Sequence, residues 1–161
     1  MNSVINSAKD SATQGMEMFL RNFAHIPEER LNWSPVPSAK TPLRVAAHTA
    51  LYAGRFAKMI NARQLPAFES LEQWLAERDA EELAITTREQ MEAAFRAGTA
   101  EVLAALDNFP EDLIGTTIET NMSWQMSVNW LVGLPGWHAT LHTGQIDYLQ
   151  TCWDDQEIYL A

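Results

Sequence analysis

The chain has 161 residues, a length that suits a single domain with one sizeable core. Hydrophobic residues make up 47% of it and charged residues 20%, which is ordinary for a globular protein and argues against disorder. The formal net charge of -10 would repel a polyphosphate backbone, so nucleic acid is not an expected partner.

Cysteine content and hydropathy bear on the compartment. Cys152 is the single cysteine, so an intramolecular disulfide is excluded. The first residues lack the basic start and apolar run of a signal peptide, and no segment approaches the roughly 18 uninterrupted apolar residues of a membrane helix. The sequence therefore predicts a cytoplasmic protein that does not enter a membrane.

Two helices are predicted in the first third of the chain. A helix over about 3–23 is indicated by apolar residues at helical spacing, namely Met16, Phe19, Leu20 and Phe23. The prolines of segment 26–42 forbid its continuation. Thr41 is a good N-cap and Pro42 suits the first helical position, so a second helix is expected over about 42–62.

The middle of the chain carries weaker signals. The connector after the second helix contains FESLEQWLAER, residues 68–78, which predicts a short helix of its own. A third long helix is expected to begin at Thr87, which has capping-box spacing to Gln90, and to end near Phe109. Residues 110–126 alternate weakly between apolar and polar, and they predict a short strand or an ordered loop.

A last helix is predicted from Ser127, a plausible N-cap, to about Cys152. Pro135 lies inside it, so a kink or a break is expected there. Four long amphipathic segments favour an all-α four-helix bundle that occupies residues 1–161 as one domain.

The run WHATLHTGQIDYL, residues 137–149, places His138 and His142 one helical turn apart. At about 100° per residue, both histidines and Gln145 fall on the side of the helix that carries its leucines, so we expect them to face the bundle interior. The same geometry predicts an outward position for Thr140, Thr143, Asp147 and Gln150. A buried histidine pair either finds hydrogen-bond partners on other helices or binds one divalent metal through both rings.

His48 is the candidate third ligand. It shares a predicted face of the second helix with Val45, Leu51 and Met59, and facing helices of a bundle can bring side chains into one core site. Three imidazoles leave a fourth tetrahedral position open, which is the arrangement of a catalytic metal.

Tyr52 and Arg55 follow His48 on the same predicted face, and we treat them as candidate pocket residues with Gln145. An inward guanidinium needs an anion, so Arg55 is expected in a structural salt bridge or on a substrate carboxylate. His25, at the end of the first helix, is expected to be solvated and structural.

Two further features favour structural roles. Four of the six tryptophans surround the last helix: Trp124, Trp130, Trp137 and Trp153. We expect them to anchor the core or a dimer interface rather than line a pocket. Cys152 lies roughly 15 Å along the helix axis from His142, too far to share a metal, and is expected to be a small buried hydrophobe.

Local signatures of several other enzyme classes are missing from the sequence. None of the four histidines has a glutamate three positions before it, as di-iron bundles require. There is also no H-E-x-x-H, no G-x-S-x-G and no glycine-rich phosphate loop.

The segment LNWSPVPSAKTPLRVAAHTALYAGRF around His48, with WHATLHTGQIDYL around the other two histidines, resembles the DinB-like (DinB/YfiT) family of metalloenzymes. In that family a W-x-P segment leads into a helix with one histidine, and a late H-x3-H-x-G-Q helix supplies two more. The resemblance implies an up-down-down-up four-helix bundle, frequently a homodimer, with a divalent metal on His48, His138 and His142. Thr143 stands where many members have arginine, which removes a charge beside the ligands.

The resemblance also bears on the reaction. Certain relatives are transferases or isomerases that use a low-molecular-weight thiol, and the open position would bind that thiol as thiolate to attack a small-molecule substrate. Water at the same position would serve a hydrolase instead. Three imidazoles suit zinc, nickel, iron or copper alike, and we expect zinc or nickel first, with iron as a further candidate. Two other possibilities remain: a non-catalytic metal- or ligand-binding protein of a stress response, and a dimerisation module without metal.

Overall fold

The computed structural model describes residues 2–120 and 124–159. Within them the chain forms five α-helices and one two-stranded antiparallel sheet. The helices are α1 (Ser3–Ala24), α2 (Pro42–Ala62), α3 (Leu71–Ala84), α4 (Arg88–Asp107) and α5 (Val128–Thr151). The strands are β1 (Thr117–Glu119) and β2 (Gln125–Ser127), and short 3-10 turns occupy Glu28–Arg30 and Glu111–Leu113. No helix in the described ranges is long and apolar enough to cross a bilayer.

Side-chain caps set the starts of three long helices. The Thr41 hydroxyl accepts a hydrogen bond from the Arg44 backbone N–H at the start of α2. Thr87 forms a capping box with Gln90 at α4, and Ser127 caps α5. Each cap satisfies a backbone N–H that has no partner within the helix. The predicted starts of these helices are confirmed.

The long helices α1, α2, α4 and α5 form the bundle, and the predicted all-α architecture is confirmed. α1 packs against α5 and α4, and α2 packs against the same two helices. One cluster of buried apolar side chains joins the N-terminal halves of α1 and α5 to the C-terminal halves of α2 and α4, and a second cluster joins the opposite halves. This grouping is consistent with an up-down-down-up order, which stays a prediction.

The two long connections carry local structure of their own. The predicted short helix in the connector after α2 is α3, which lies against α2 outside the four-helix core. In the connection before α5, the strands β1 and β2 pair with Ile118 opposite Met126, so the expected strand is present. Residues 121–123 of the predicted segment 110–126 lie outside the described residues.

The chain passes through Pro135 without leaving the helix, so the break that was expected as one outcome does not occur. Gly136 explains how this part of α5 is held. A Cβ at Gly136 would lie 2.0 Å from the Ser11 Oγ and 2.7 Å from the Ser11 carbonyl, so only glycine permits α1 and α5 to approach this closely. α1 contributes to both apolar clusters and thus supports α5 on either side of the proline.

The buried face of α5 differs from the predicted one. His138 is buried and His142 is half-buried, but Gln145 is exposed although it was expected to face inward. Thr143 and Gln150, expected to face outward, are both buried. The reason is that α5 packs against both α1 and α2, which rotates the centre of its buried arc by roughly 75° from His138. The histidines therefore lie at the edge of the core face.

Replacing Gly136 by alanine is expected to lower the free energy of unfolding by about 1–3 kcal/mol, because the new methyl would overlap Ser11 and push α1 from α5. Urea denaturation measures the change. Gly133→Ala is the matched control, since a Cβ there meets nothing within 4 Å. That control should gain up to about 1 kcal/mol from helix propensity. Equal effects of the two substitutions would contradict the close approach.

Candidate metal centre

The structure brings the three predicted ligands together. His48 comes from α2, and His138 and His142 come from consecutive turns of α5. His138 Nε2 lies 3.3 Å from His48 Nε2 and 3.0 Å from His142 Nε2. The ligand nitrogens of the three rings all lie within 4.8 Å of one another. Three Nε2 atoms directed at one small volume can hold a metal ion.

Hydrogen bonds on the outer nitrogens of two rings determine which nitrogen is free. His48 Nδ1 donates to Glu82 Oε1 over 2.7 Å, and His142 Nδ1 donates to Gln145 Oε1 over 2.6 Å. In the neutral form an imidazole carries one proton, so with Nδ1 as the donor the Nε2 atom of each ring keeps its lone pair.

The three rings cannot satisfy one another. Neutral His138 has one N–H, so its Nε2 can donate to the Nε2 of His48 or of His142 but not to both. At least one inward lone pair therefore has no proton donor among the contacts of the described residues. A dimerisation module whose histidines are all satisfied by protein partners does not agree with this geometry, whereas a cation would meet every lone pair at once.

Burial keeps the rings on α5 neutral. Loss of solvent, with smaller repulsion from His142 and His48, lowers the pKa of His138 to about 2. Burial also lowers the pKa of His142, against the opposing effect of the hydrogen bond to Gln145. Metals bind the neutral imidazole, so His138 is in the ligand form well below neutral pH, and the pKa of His142 is shifted in the same direction.

Glu82 is a site residue that the sequence did not single out. It is the one buried residue of α3, all of which lies in the described part of the chain. Its Oε1 accepts from His48, and its Oε2 accepts from Lys40 at 2.6 Å and from Arg44 at 3.2 Å. Burial raises the pKa of this carboxyl, but the bonds from His48 and Lys40 outweigh it and bring the pKa to about 2. The charged carboxylate orients the His48 ring and makes the Nε2 lone pair more basic, which strengthens its bond to a metal ion.

The pocket residues predicted beside His48 adjoin the cluster. The Tyr52 ring centroid lies 4.4 Å from that of His48 and 5.1 Å from that of His138. Arg55 lies over the Tyr52 ring at 4.6 Å and pairs with Glu81 of α3. The structural salt bridge, one of the two expectations for Arg55, is therefore present, and a contact with substrate stays a prediction.

A groove of about 420 Å³ runs between α2 and α3 next to the cluster, and we call it the His48 groove. Its walls include Lys40, His48, Tyr52, Trp74, Leu75 and Glu82. Of the three histidines, His48 thus borders a space large enough for a small molecule.

The tryptophans are apart from this groove, with one exception that the sequence did not single out, Trp74. Trp124, Trp130 and Trp137 expose 44–47% of their surface, so the expectation that they anchor the core is wrong, and a role at a dimer interface stays a prediction. Trp153 packs edge-on against Trp33 beside the core, as expected.

Two expectations at the helix ends have different outcomes. Cys152 is exposed rather than buried, because α5 ends at Thr151 and the cysteine forms its C-cap beyond the packed core. His25 is exposed at the end of α1 and stacks on Tyr159, so the predicted solvated position is confirmed.

We expect the free energy of unfolding of the metal-free protein to fall as the pH is lowered from about 6.5 to 5. His138 stays neutral in the folded chain but gains a proton in the unfolded chain below about 6.5, so acid favours unfolding by up to roughly 1.4 kcal/mol per pH unit. Urea denaturation at several pH values in the presence of a chelator measures this slope.

His138→Gln should reduce the slope, whereas His25→Gln, which changes an exposed histidine, should leave it intact. A slope that is the same in His138→Gln and in the unmodified chain would show that His138 is not the residue responsible.

Comparison with known proteins agrees with this geometry. A family model described as the DinB superfamily matches residues 12–146, a range that contains all three histidines, Glu82 and Gln145. No curated protein sequence matches the chain significantly. Because the family model covers most of the chain, this protein belongs to the DinB superfamily.

Proposed function

We propose that this protein is a divalent-metal-dependent enzyme acting on a small molecule, with His48, His138 and His142 as the metal ligands. The proposal rests on the convergence of three Nε2 atoms, at least one of which has a lone pair without a proton donor among the contacts of the described residues. A zinc or nickel ion held there, or an iron ion, would lower the pKa of a thiol or water beside it.

A catalytic role is supported by the number of protein ligands. A structural zinc site is closed by four protein groups, whereas a catalytic site keeps one position free. Among the described residues no fourth histidine, cysteine or acidic side chain joins the group. Glu82 is directed at the outer nitrogen of His48, so it serves as a positioning residue rather than a ligand.

Within this class we propose a thiol-dependent transferase or isomerase before a hydrolase. Hydrolysis calls for a general base near the attacking water, with a pKa near the working pH. The two carboxylates of the His48 groove are already paired, Glu82 with Lys40 and Asp79 with Arg44. A thiol bound to the metal would lose its proton to solvent outright and become a strong nucleophile, whereas bound water keeps a pKa of about 7 and gains more from a nearby base.

A non-catalytic metal- or ligand-binding protein of a stress response is the alternative. It would use the same histidines, so metal content alone does not separate the two proposals. The groove beside the site favours the enzyme, and turnover decides between them.

We also propose that two copies of the chain associate, as the family resemblance implies. Large apolar side chains are exposed along the outer face of α5, and such surface is typical of interfaces between proteins. They are Trp130, Trp137, Leu141 and Tyr148.

Metal analysis is the first test. Protein purified without an affinity tag or added metal should hold about one divalent ion per cluster, and His48→Ala should lose most of it. Glu82→Gln should weaken metal affinity by roughly 10- to 100-fold, because the amide no longer holds His48 as a charged acceptor. Elemental analysis and competition with a chromophoric chelator give both quantities.

Glu81→Gln is the matched control on the same helix, since Glu81 contacts Arg55 and Arg78 rather than a histidine. Full metal retention in His48→Ala, or equal losses in the Glu81 and Glu82 variants, would refute the assigned ligand arrangement.

Thiol chemistry is the second test. The metal-loaded protein is incubated with a panel of cellular low-molecular-weight thiols and an electrophilic acceptor, and loss of free thiol is followed with time. We expect turnover that disappears in His138→Ala. Stoichiometric metal without turnover for every thiol in the panel would favour the hydrolase or the non-catalytic alternative.

A further inference from the structure

A second groove opens beside the His48 groove and has a volume of about 440 Å³. The two grooves meet at Tyr52, Trp74 and Arg78, which line both. Its walls combine apolar side chains with an unusual set of charges, and we call it the cationic groove. Apolar surface comes from Tyr52, Phe56, Met59, Leu65 and Trp74.

The charges along the cationic groove are unbalanced. Three cations, Arg55, Lys58 and Arg78, line it against one carboxylate, that of Glu81, which is a local formal charge of +2. The whole chain carries -10, so the groove is positive on a negative molecule. A confined positive patch of this kind concentrates small anions from solution.

The available acceptors do not satisfy these cations. Glu81 accepts from both Arg55 and Arg78, the latter over 2.7 Å, and Glu77 lies 3.9 Å from Arg78. Arg55 Nη1 and Arg78 Nε are buried without an acceptor in the described structure. Lys58 is exposed and has no ion-pair partner among the described residues. The two buried N–H groups have almost no accessible surface, so an anion in the groove would be held by the accessible parts of the two guanidinium groups and by Lys58.

Tyr52 connects this excess of charge to the histidines. The centroid of the Tyr52 ring lies 4.4 Å from that of the His48 ring and 4.6 Å from the guanidinium carbon of Arg55. A molecule lying along Tyr52 and Trp74 can therefore reach both the histidine cluster and the cations.

We propose that the cationic groove binds the anionic end of the substrate, and that the substrate is an organic anion with an apolar, aromatic-sized body. Its reactive end then lies in the His48 groove. The orientation rests on the proposed function, whereas the anion subsite rests on the charges and the apolar walls of the groove. Carboxylates and phosphates share the chemistry that guanidinium groups recognise, and the experiment distinguishes them.

The test uses three probes with one phenyl body: 4-phenylbutyrate, 2-phenylethyl phosphate and the uncharged 4-phenylbutanamide. Binding is followed by NMR at low salt through the indole N–H signal of Trp74, assigned with Trp74→Phe. At least one anion should bind about tenfold more tightly than the amide, and the tighter anion identifies the group. Equal binding of the amide and both anions would overturn the proposal.

Charge variants then locate the anion. Lys58→Gln removes a cation without breaking an ion pair and should weaken binding of the tighter anion about threefold. Arg78→Gln should weaken it further. Arg96→Gln is the matched control, since it removes the same charge from an exposed position on α4 outside the groove. Affinities of both groove variants that equal that of Arg96→Gln would place the anion elsewhere and reject the subsite.

The titrations are performed on chelator-treated and on metal-loaded protein, so that the two proposals fail independently. Anion preference in a protein that never retains metal would reject the proposed enzyme and support the subsite. Stoichiometric metal without anion preference would reject the subsite and leave the metal site standing.

Discussion

The three imidazole nitrogens that converge between α2 and α5 impose the strongest constraint on this structure. When the rings are neutral, at most one of the three inward nitrogens carries a proton, and His138 is buried, so other groups must hold the rings in place. The hydrogen bonds that Glu82 and Gln145 accept do so from outside, by fixing the proton on the far nitrogen of two rings. Folding thus holds the histidines with their Nε2 atoms directed at one small volume, which is electrostatically unfavourable. A bound cation would remove that unfavourable interaction.

The attachment of α3 follows from the same constraint. This helix contributes no apolar residue to the core and is joined to α2 largely by ion pairs. Glu82 is the residue that it buries, and that residue contacts His48. The helix that contacts His48 is also a wall of both grooves, so the position of this candidate ligand and the opening of the grooves depend on one loosely packed element.

Local chemistry explains which features could be predicted from the sequence. The caps at Thr41, Thr87 and Ser127 act on backbone groups within three residues, so the starts of α2, α4 and α5 were predictable. The three histidines stood out because imidazoles at helical spacing near leucines are unusual. Glu82 could not be chosen among 21 acidic residues, because α3 has no apolar face to orient it. Metal-binding histidines commonly donate to a carboxylate, which predicts an acidic residue beside His48 but does not identify which one.

The errors on α5 have a different physical origin. Helical periodicity gives the angles between side chains but not the direction in which the helix is packed. Since α5 lies between α1 and α2, burial reaches Thr143 and Gln150 and leaves Gln145, Trp130 and Trp137 exposed. Such a rotation is set by tertiary neighbours, and one sequence read by itself does not contain them.

The absence of a side chain at Gly136 has an effect at a distance. α1 supplies none of the three histidines, yet its contact at Ser11 determines how closely α5 lies against the bundle, two residues before His138. The spacing of the candidate ligand atoms is therefore coupled to a helix that supplies none of them. Ser11 does not belong to the candidate site, yet a larger residue at this position would push α5 away from α1. The two histidines on α5, His138 and His142, would then move together.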